Sequence, residues 1–274
     1  MPLVVLISIA LVMGWAAAVA AWRYPYSASR KPALSTRLDP EKATGLALTL
    51  ALILVFGAGL VLAVLAVIVR SHQDLAGIDS SVANWGDRHA TGATTDGLKL
   101  ITDLGETRTA VIVGGAIALA EIGRTRSRWI VPFLLAVVVG DKLLTQTIKH
   151  LVDRVRPDLD PVAATLGPSF PSGHSSWSAA FLAATALILS RNRGPKARAI
   201  LAAAAAGLAV SIAATRVLLA VHWLSDVVAG LALGWAWFAV CAIAFGGRVL
   251  RFGAGVQSVR RQVRAGDPER SATA

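Results

Sequence analysis

The chain reads as an all-α protein, a polytopic bundle of transmembrane helices. Apolar runs long enough to cross a bilayer recur along it, and basic residues gather in alternate connections between those runs. Composition agrees: 55% of residues are hydrophobic, only 16% are charged, and mean hydropathy is +0.62. Soluble domains carry roughly 25% charged residues.

A helix needs about 20 mostly apolar residues to cross about 30 Å of hydrocarbon. Seven segments approach that length, at about 3–22, 45–69, 107–123, 129–148, 174–190, 197–215 and 223–246. The third is short and needs snorkelling ends or local bilayer thinning. Pro2–Trp22 is apolar from its start and lacks a basic leader, which favours a retained span. The small residues Ala16–Ala21 leave a cleaved signal open.

A net charge of +11 raises nucleic acid as a partner, and its distribution argues against it. Most basic residues lie in segments 23–44 (Arg23, Arg30, Lys31, Arg37, Lys42), 124–128 (Arg124, Arg126, Arg128), 191–198 (Arg191, Arg193, Lys196, Arg198) and 248–274. The positive-inside rule places these in the cytoplasm, and with them puts connections 70–108, 149–173 and 216–222 outside a plasma (inner) membrane.

Three regions follow: 1–44, an apolar span and basic cytoplasmic linker; 45–250, the transmembrane domain; and 251–274, a polar, basic tail with the composition of a disordered cytoplasmic end. No internal repeat or second soluble domain is evident. Within loop 70–108, Leu75, Ile78, Val82 and Trp85 fall at helical spacing, and Leu98, Ile101 and Leu104 follow a polar break. Two short amphipathic helices at the interface, packing over the domain, are expected there. Cys241 has no intrachain partner and reads as a small core hydrophobe.

Three outward-facing segments carry polar groups that are expensive near a bilayer. Lys149 follows the fourth span and Arg156 comes seven residues later, two turns on if the helix continues, with Arg154 between. Pro157 then ends any helix. Arginine suits bidentate phosphate binding and lysine acts as a compact charge. Pro171, Ser172, Gly173 and His174 precede the fifth span, where Ser172 is placed to cap a helix and Gly173 lets a ligand approach backbone. Free N–H groups and the helix dipole favour an anion there. Arg216 closes the sixth span, His222 follows, and Asp226 lies four residues further, on one face of a helix with it. A carboxylate accepting from one ring nitrogen leaves the other free to attack.

Lys149-x6-Arg156-Pro157, Pro171-Ser172-Gly173-His174 and Thr215-Arg216-x5-His222-x3-Asp226 together resemble the three-part signature of the type 2 phosphatidic acid phosphatase superfamily, which includes the vanadium haloperoxidases. Thr215 departs from the more usual serine and keeps the hydroxyl. The resemblance covers roughly residues 70–246. It implies six core spans, with Pro2–Trp22 an addition, and a two-step phosphoryl transfer. In that scheme His222 is the nucleophile, Asp226 orients it, and His174 is the general acid and base. Lys149, Arg156, Ser172, Gly173 and Arg216 hold the phosphate.

Arg154 stands outside the strict signature, as an auxiliary phosphate ligand or a headgroup contact. Lys142, seven residues before Lys149, reaches the site or pairs locally. Glu121 belongs near the cytoplasmic boundary by Arg124, and His72, His89 and His150 lack metal-site spacing. The chain offers no oxygen-rich acidic cage, so activity without metal or cofactor is expected. The expected substrate is a lipid phosphate or diphosphate at the outer face: undecaprenyl diphosphate, phosphatidic acid or phosphatidylglycerol phosphate. Two other readings remain, a vanadate-dependent haloperoxidase and a non-catalytic lipid-phosphate carrier; the sequence leaves a homo-oligomer open.

Overall fold

A computed structural model describes residues 40–71, 76–125, 127, 129–157, 159, 167–191 and 193–249. The expected span 3–22, the linker up to residue 39, Leu75, His72 and the tail 251–274 lie outside these residues. The described chain is all helix, without strands: α1 Pro40–Arg70, α2 Ala76–His89, α3 Ala93–Asp103, α4 Thr107–Thr125, α5 Ile130–Val152, α6 Gly173–Ser190, α7 Pro195–Leu218 and α8 Leu224–Val249.

Helices stand at all six expected positions from 45 onward. Four stretches are long and apolar enough to cross a membrane: Leu52–Arg70, Ile130–Val152, Pro195–Leu218 and Leu224–Phe245. The other two, α4 and α6, have 19 and 18 residues, about 29 and 27 Å at 1.5 Å per residue. The apolarity of α6 is diluted by Ser175, Ser176 and Ser178, all buried. It packs against α5, α7 and α8, so it needs no continuous lipid-facing surface. By contrast α1 exposes Phe56, Leu60 and Val67 on its outer face, where acyl chains replace water as the neighbour.

Small residues let α6 and α8 approach closely, the usual solution where hydrophobic attraction between helices is weak. A Cβ at Gly230 would stand 2.5 Å from the Ser172 carbonyl oxygen, and one at Gly234 would overlap the Ser176 carbonyl. Nearby, the Trp237 Nε1–H donates to the carbonyls of Ala136 and Val137, each at 3.1 Å. Gly140 makes room for that ring. Phe133, Val137, Phe181, Ile188 and Cys241 fill the core beneath it. Cys241 is thus the buried core residue expected.

The amphipathic pair of loop 70–108 forms as α2 and α3, lying across α7 and α8. Of the apolar stripe expected, Val82 and Trp85 pack inward against the core and Ile78 does not. Ile78 is 59% exposed, whereas Asp79 is 2% exposed and Ala83 is buried beside it. Gly86 presses on the α7 terminus, where an added Cβ would lie 3.0 Å from Leu218 Cα. Asp79 takes an inward place beside them because its carboxylate has buried partners, described below. In α3, Leu98 and Thr102 are buried, while Leu104, just past its end, is exposed. Glu121 lies 3.7 Å from Arg124, at the end of α4 where the sequence places it.

Gly234→Leu should lower the thermal midpoint of the detergent-solubilised protein. Overpacking of this kind costs about 1–3 kcal/mol, so a scan in which the variant melts with the wild type would contradict the close α6–α8 contact.

Candidate active site

Helix α5 carries Lys149 in its last turn and stops at Val152. Asp153 takes the left-handed conformation, φ 47°, and its N–H donates to the Lys149 carbonyl at 2.9 Å. The helix therefore does not continue to Arg156, and Pro157 is not what ends it. Arg154 and Arg156 sit instead on an irregular segment tied to the chain before α6. The Ser169 N–H donates to the Arg154 carbonyl at 2.8 Å, and Ser169 Oγ donates to the Val155 carbonyl at 3.1 Å. This pairing turns both cations inward. Lys149 Nζ donates to the Pro168 carbonyl, and Arg156 Nε donates to the Gly167 carbonyl at 2.9 Å. Gly167 has φ 95°, a backbone state suited to glycine.

Ser172 is the N-cap of α6, but its side chain makes no capping bond. Its Oγ accepts from Ser175 Oγ at 2.9 Å, and its N–H donates to the Asp226 carbonyl at 2.9 Å. Gly173 opens the helix with only Thr145 Cγ2 near an added Cβ, at 3.7 Å. The Gly173 N–H, in the first turn, has no intrahelical acceptor. His174 is half-buried and borders Gly105 of the α3–α4 connection.

Arg216 lies in the last turn of α7, 3% exposed, with Nη1 donating to Thr102 Oγ1 at 3.0 Å. Its Nε is buried without a partner among the described residues. The chain then folds back on itself: the N–H groups of Val221 and His222 both donate to the Arg216 carbonyl, each at 3.1 Å. His222 precedes α8 and so does not share a helix with Asp226, as the spacing suggested. They meet because Asp226, in the first turn of α8, accepts the Trp223 N–H at 3.0 Å, half of a capping box. That bond aims Asp226 Oδ2 at His222 Nδ1, 3.4 Å away. On the other side of the ring, Arg156 Nη1 stands 3.1 Å from Nε2. A guanidinium only donates, so Nε2 accepts and the ring proton resides on Nδ1, facing the carboxylate.

Two residues flagged in the sequence fall elsewhere. Lys142 is exposed, although it points in nearly the same direction as Lys149. The difference is cover: the segment at Pro168 closes over the end of α5 and leaves the level of Lys142 open. Arg154 turns towards Asp226 Oδ1, at 2.6 Å, and Asp79 Oδ2, at 2.8 Å. Asp79, Ser225 and Thr102 are polar neighbours of the cluster that spacing did not reveal. Asp141, buried in α5, accepts from Ser176 Oγ.

Residues 129–249 match the family model of the PAP2 superfamily. This segment is a PAP2 superfamily domain. The chain is 38% identical over 122 residues to a lipid A 1-phosphatase of Rhizobium johnstonii, covering 41% of this chain and 46% of that protein. It is 34% identical over 111 residues to phosphatidylglycerophosphatase B of Bacillus subtilis, covering 40% and 55%. The chain thus spans about half the length of these curated relatives. The crystal structure of a transmembrane PAP2 type phosphatidylglycerolphosphate phosphatase from Bacillus subtilis superposes with a TM-score of 0.66, at 25% identity over 72% of this chain and 98% of that one.

At this end of the bundle Lys149, Arg156, Arg216 and His222 all lie near enough to His174 to act on it through space. Burial drives the His222 imidazole down to about 4 from an ordinary 6.5; Asp226 opposes this, and Arg156 and Arg216 add to it. Burial likewise lowers Arg156, against the pull of Asp226, yet a guanidinium stays charged at neutral pH. His222 is accordingly neutral at pH 7. Below pH 6.5 the unfolded chain takes up a proton that the folded His222 refuses, so this group withdraws stability as pH falls from about 6.5 to about 4.

Carbon-13 histidine NMR in micelles should show His222 titrating near pH 4. A midpoint at 6.5 or above would contradict a buried ring between a carboxylate and two cations.

Proposed function

We propose that this chain is an integral-membrane lipid phosphate phosphatase working through a phosphohistidine. The observation that carries the reading is the His222 ring held between Asp226 and Arg156, with Nδ1 towards the carboxylate and Nε2 towards the cation. A phosphate drawn into the cluster engages Arg156 and uncovers the Nε2 lone pair. Lys149 exchanges a backbone carbonyl for a phosphate oxygen, and the unpartnered Nε of Arg216 supplies a further donor. The N–H of Gly173 and the Ser172 hydroxyl complete the cradle at the mouth of α6.

Nε2 attacks phosphorus as the bond from phosphorus to the lipid oxygen breaks. His174 in its imidazolium form gives its proton to that leaving oxygen. Neutral again, His174 takes a proton from a water that attacks the phosphohistidine. The P–N bond breaks and inorganic phosphate leaves. Phosphoryl transfer asks mainly for positioning and charge stabilisation, and three cations provide the charge that a metal would otherwise bring. Activity in a chelator is therefore expected.

The substrate class follows from the setting. The cluster opens at the end of the bundle where α5 and α7 finish and α6 and α8 begin, beside helices exposing apolar side chains. A phosphate on an apolar tail fits such a place. The basic residues Arg124, Arg193 and Arg198 lie towards the opposite end of α4, α6 and α7, which by the positive-inside rule faces the cytoplasm. The reaction is accordingly assigned to the outer face of the plasma membrane, with undecaprenyl diphosphate, phosphatidic acid and phosphatidylglycerol phosphate as the compounds to try.

Purified protein in EDTA should release phosphate from at least one of these, and His222→Ala should lower the rate by at least about 1,000-fold. Full activity in that variant, or none in the wild type across the panel, would refute the reading. A reporter fused after Arg193 should report the cytoplasm and one inserted at residue 161 the outside; the reverse would overturn the topology.

A further inference from the structure

The guanidinium of Arg154 is enclosed by acceptors other than a substrate. Nη1 donates to Asp226 Oδ1 at 2.6 Å and to Ser225 Oγ at 2.7 Å, while Nη2 donates to Asp79 Oδ2 at 2.8 Å. Asp79 is itself locked to the start of α8, accepting the Ser225 N–H at 3.0 Å and Ser225 Oγ at 2.5 Å. The Trp223 ring covers the group, with Arg154 Cζ 5.3 Å from its centroid. The side chain of Arg154 is 16% exposed, that of Asp79 3% and that of Asp226 0%. One cation thus bridges two buried carboxylates, one from the amphipathic helix α2 and one from α8.

The two oxygens of Asp226 have separate partners. Oδ1 faces Arg154, while Oδ2 faces the Trp223 N–H and the His222 ring. A carboxylate free to turn about its terminal torsion would present either oxygen to His222 at varying distance, since that torsion is broad. The contact with Arg154 opposes that turn.

We propose that Arg154, anchored by Asp79 of α2, is a positioning residue that fixes Asp226 and through it His222, and is not a ligand for phosphate or headgroup. The inference rests on the phosphatase reading for its kinetic test. Docking of α2 is then coupled to the reacting end of the bundle, because the Asp79 that holds Arg154 also holds Ser225.

The test is a set of Arg154→Ala, Arg154→Lys and Asp79→Asn in full-length protein in detergent micelles. Arg154→Ala should lower kcat by at least tenfold while KM for a lipid phosphate stays within threefold. Arg154→Lys should recover part of the rate, and Asp79→Asn should fall between the alanine and lysine variants. A tenfold rise in KM with kcat unchanged would make Arg154 a substrate ligand, and wild-type values for both constants would leave it without a role; either result overturns the proposal. An inactive wild type would count against the phosphatase reading alone. In that case, and where Arg154→Ala alters folding, histidine NMR of Arg154→Lys and Asp79→Asn decides. Loosening Asp226 from its cation leaves its charge to His222, so the His222 midpoint should move up by at least half a unit. An unmoved midpoint in both variants overturns the proposal.

Discussion

Asp226 is the fixed point of this molecule. Its carboxylate is wholly buried, in a setting where an unpaired charge is strongly unfavourable. Every available oxygen is therefore engaged, and the partners come from separate parts of the chain. Its side chain meets the Arg154 guanidinium, the Trp223 N–H and the His222 ring, and its backbone carbonyl accepts the Ser172 N–H. One residue thereby joins the segment after α5, the mouth of α6 and the start of α8. The need to satisfy a buried carboxylate does much of the work of bringing three distant sequence segments to one place.

The cations around it are arranged by the same logic with the sign reversed. Lys149 and Arg156 rest on the carbonyls of Gly167, Pro168 and Val221, neutral dipoles that leave their charges unneutralised. Arg216 keeps a buried donor without a partner. Among the described cations of the cluster, Arg154 is the one in direct contact with carboxylates. The cluster so divides into a cationic part that can accept an anion and a balanced part that holds geometry. Neutral His222 lies on the border between them, which suits a nitrogen nucleophile better than a fully charged or a solvated position would.

The spans were legible because hydrocarbon imposes length and apolarity on any helix facing it, and α1, α5, α7 and α8 all do. Buried α6 shows in the sequence as an apolar run although its serines dilute the hydropathy. Spacing also picked out the residues that cluster: Lys149, Arg156, His174, Arg216, His222 and Asp226 do converge. It misled where side-chain direction depends on more than helical phase. Lys142 and Lys149 share a direction, but only the second lies under the Pro168 segment. The turn at Asp153 was invisible because a left-handed aspartate leaves no hydropathy signal, and with it went the orientation of Arg154. Asp79 reads as a solvent-facing residue of an amphipathic helix, and only the fold places Ser225 and Arg154 opposite it. Its neighbour Ile78 pointed outward for the same reason.

The central claim is that His222, aimed by Asp226, takes the phosphoryl group onto its own ring. Rapid quenching of a His174→Ala variant during turnover of a phosphorus-32-labelled lipid phosphate tests it most directly, because loss of the group that activates water should let the intermediate build up. An acid-labile, alkali-stable label recovered on the peptide bearing His222 is the result this account predicts. Turnover with no label there, or with label on another residue, would contradict it.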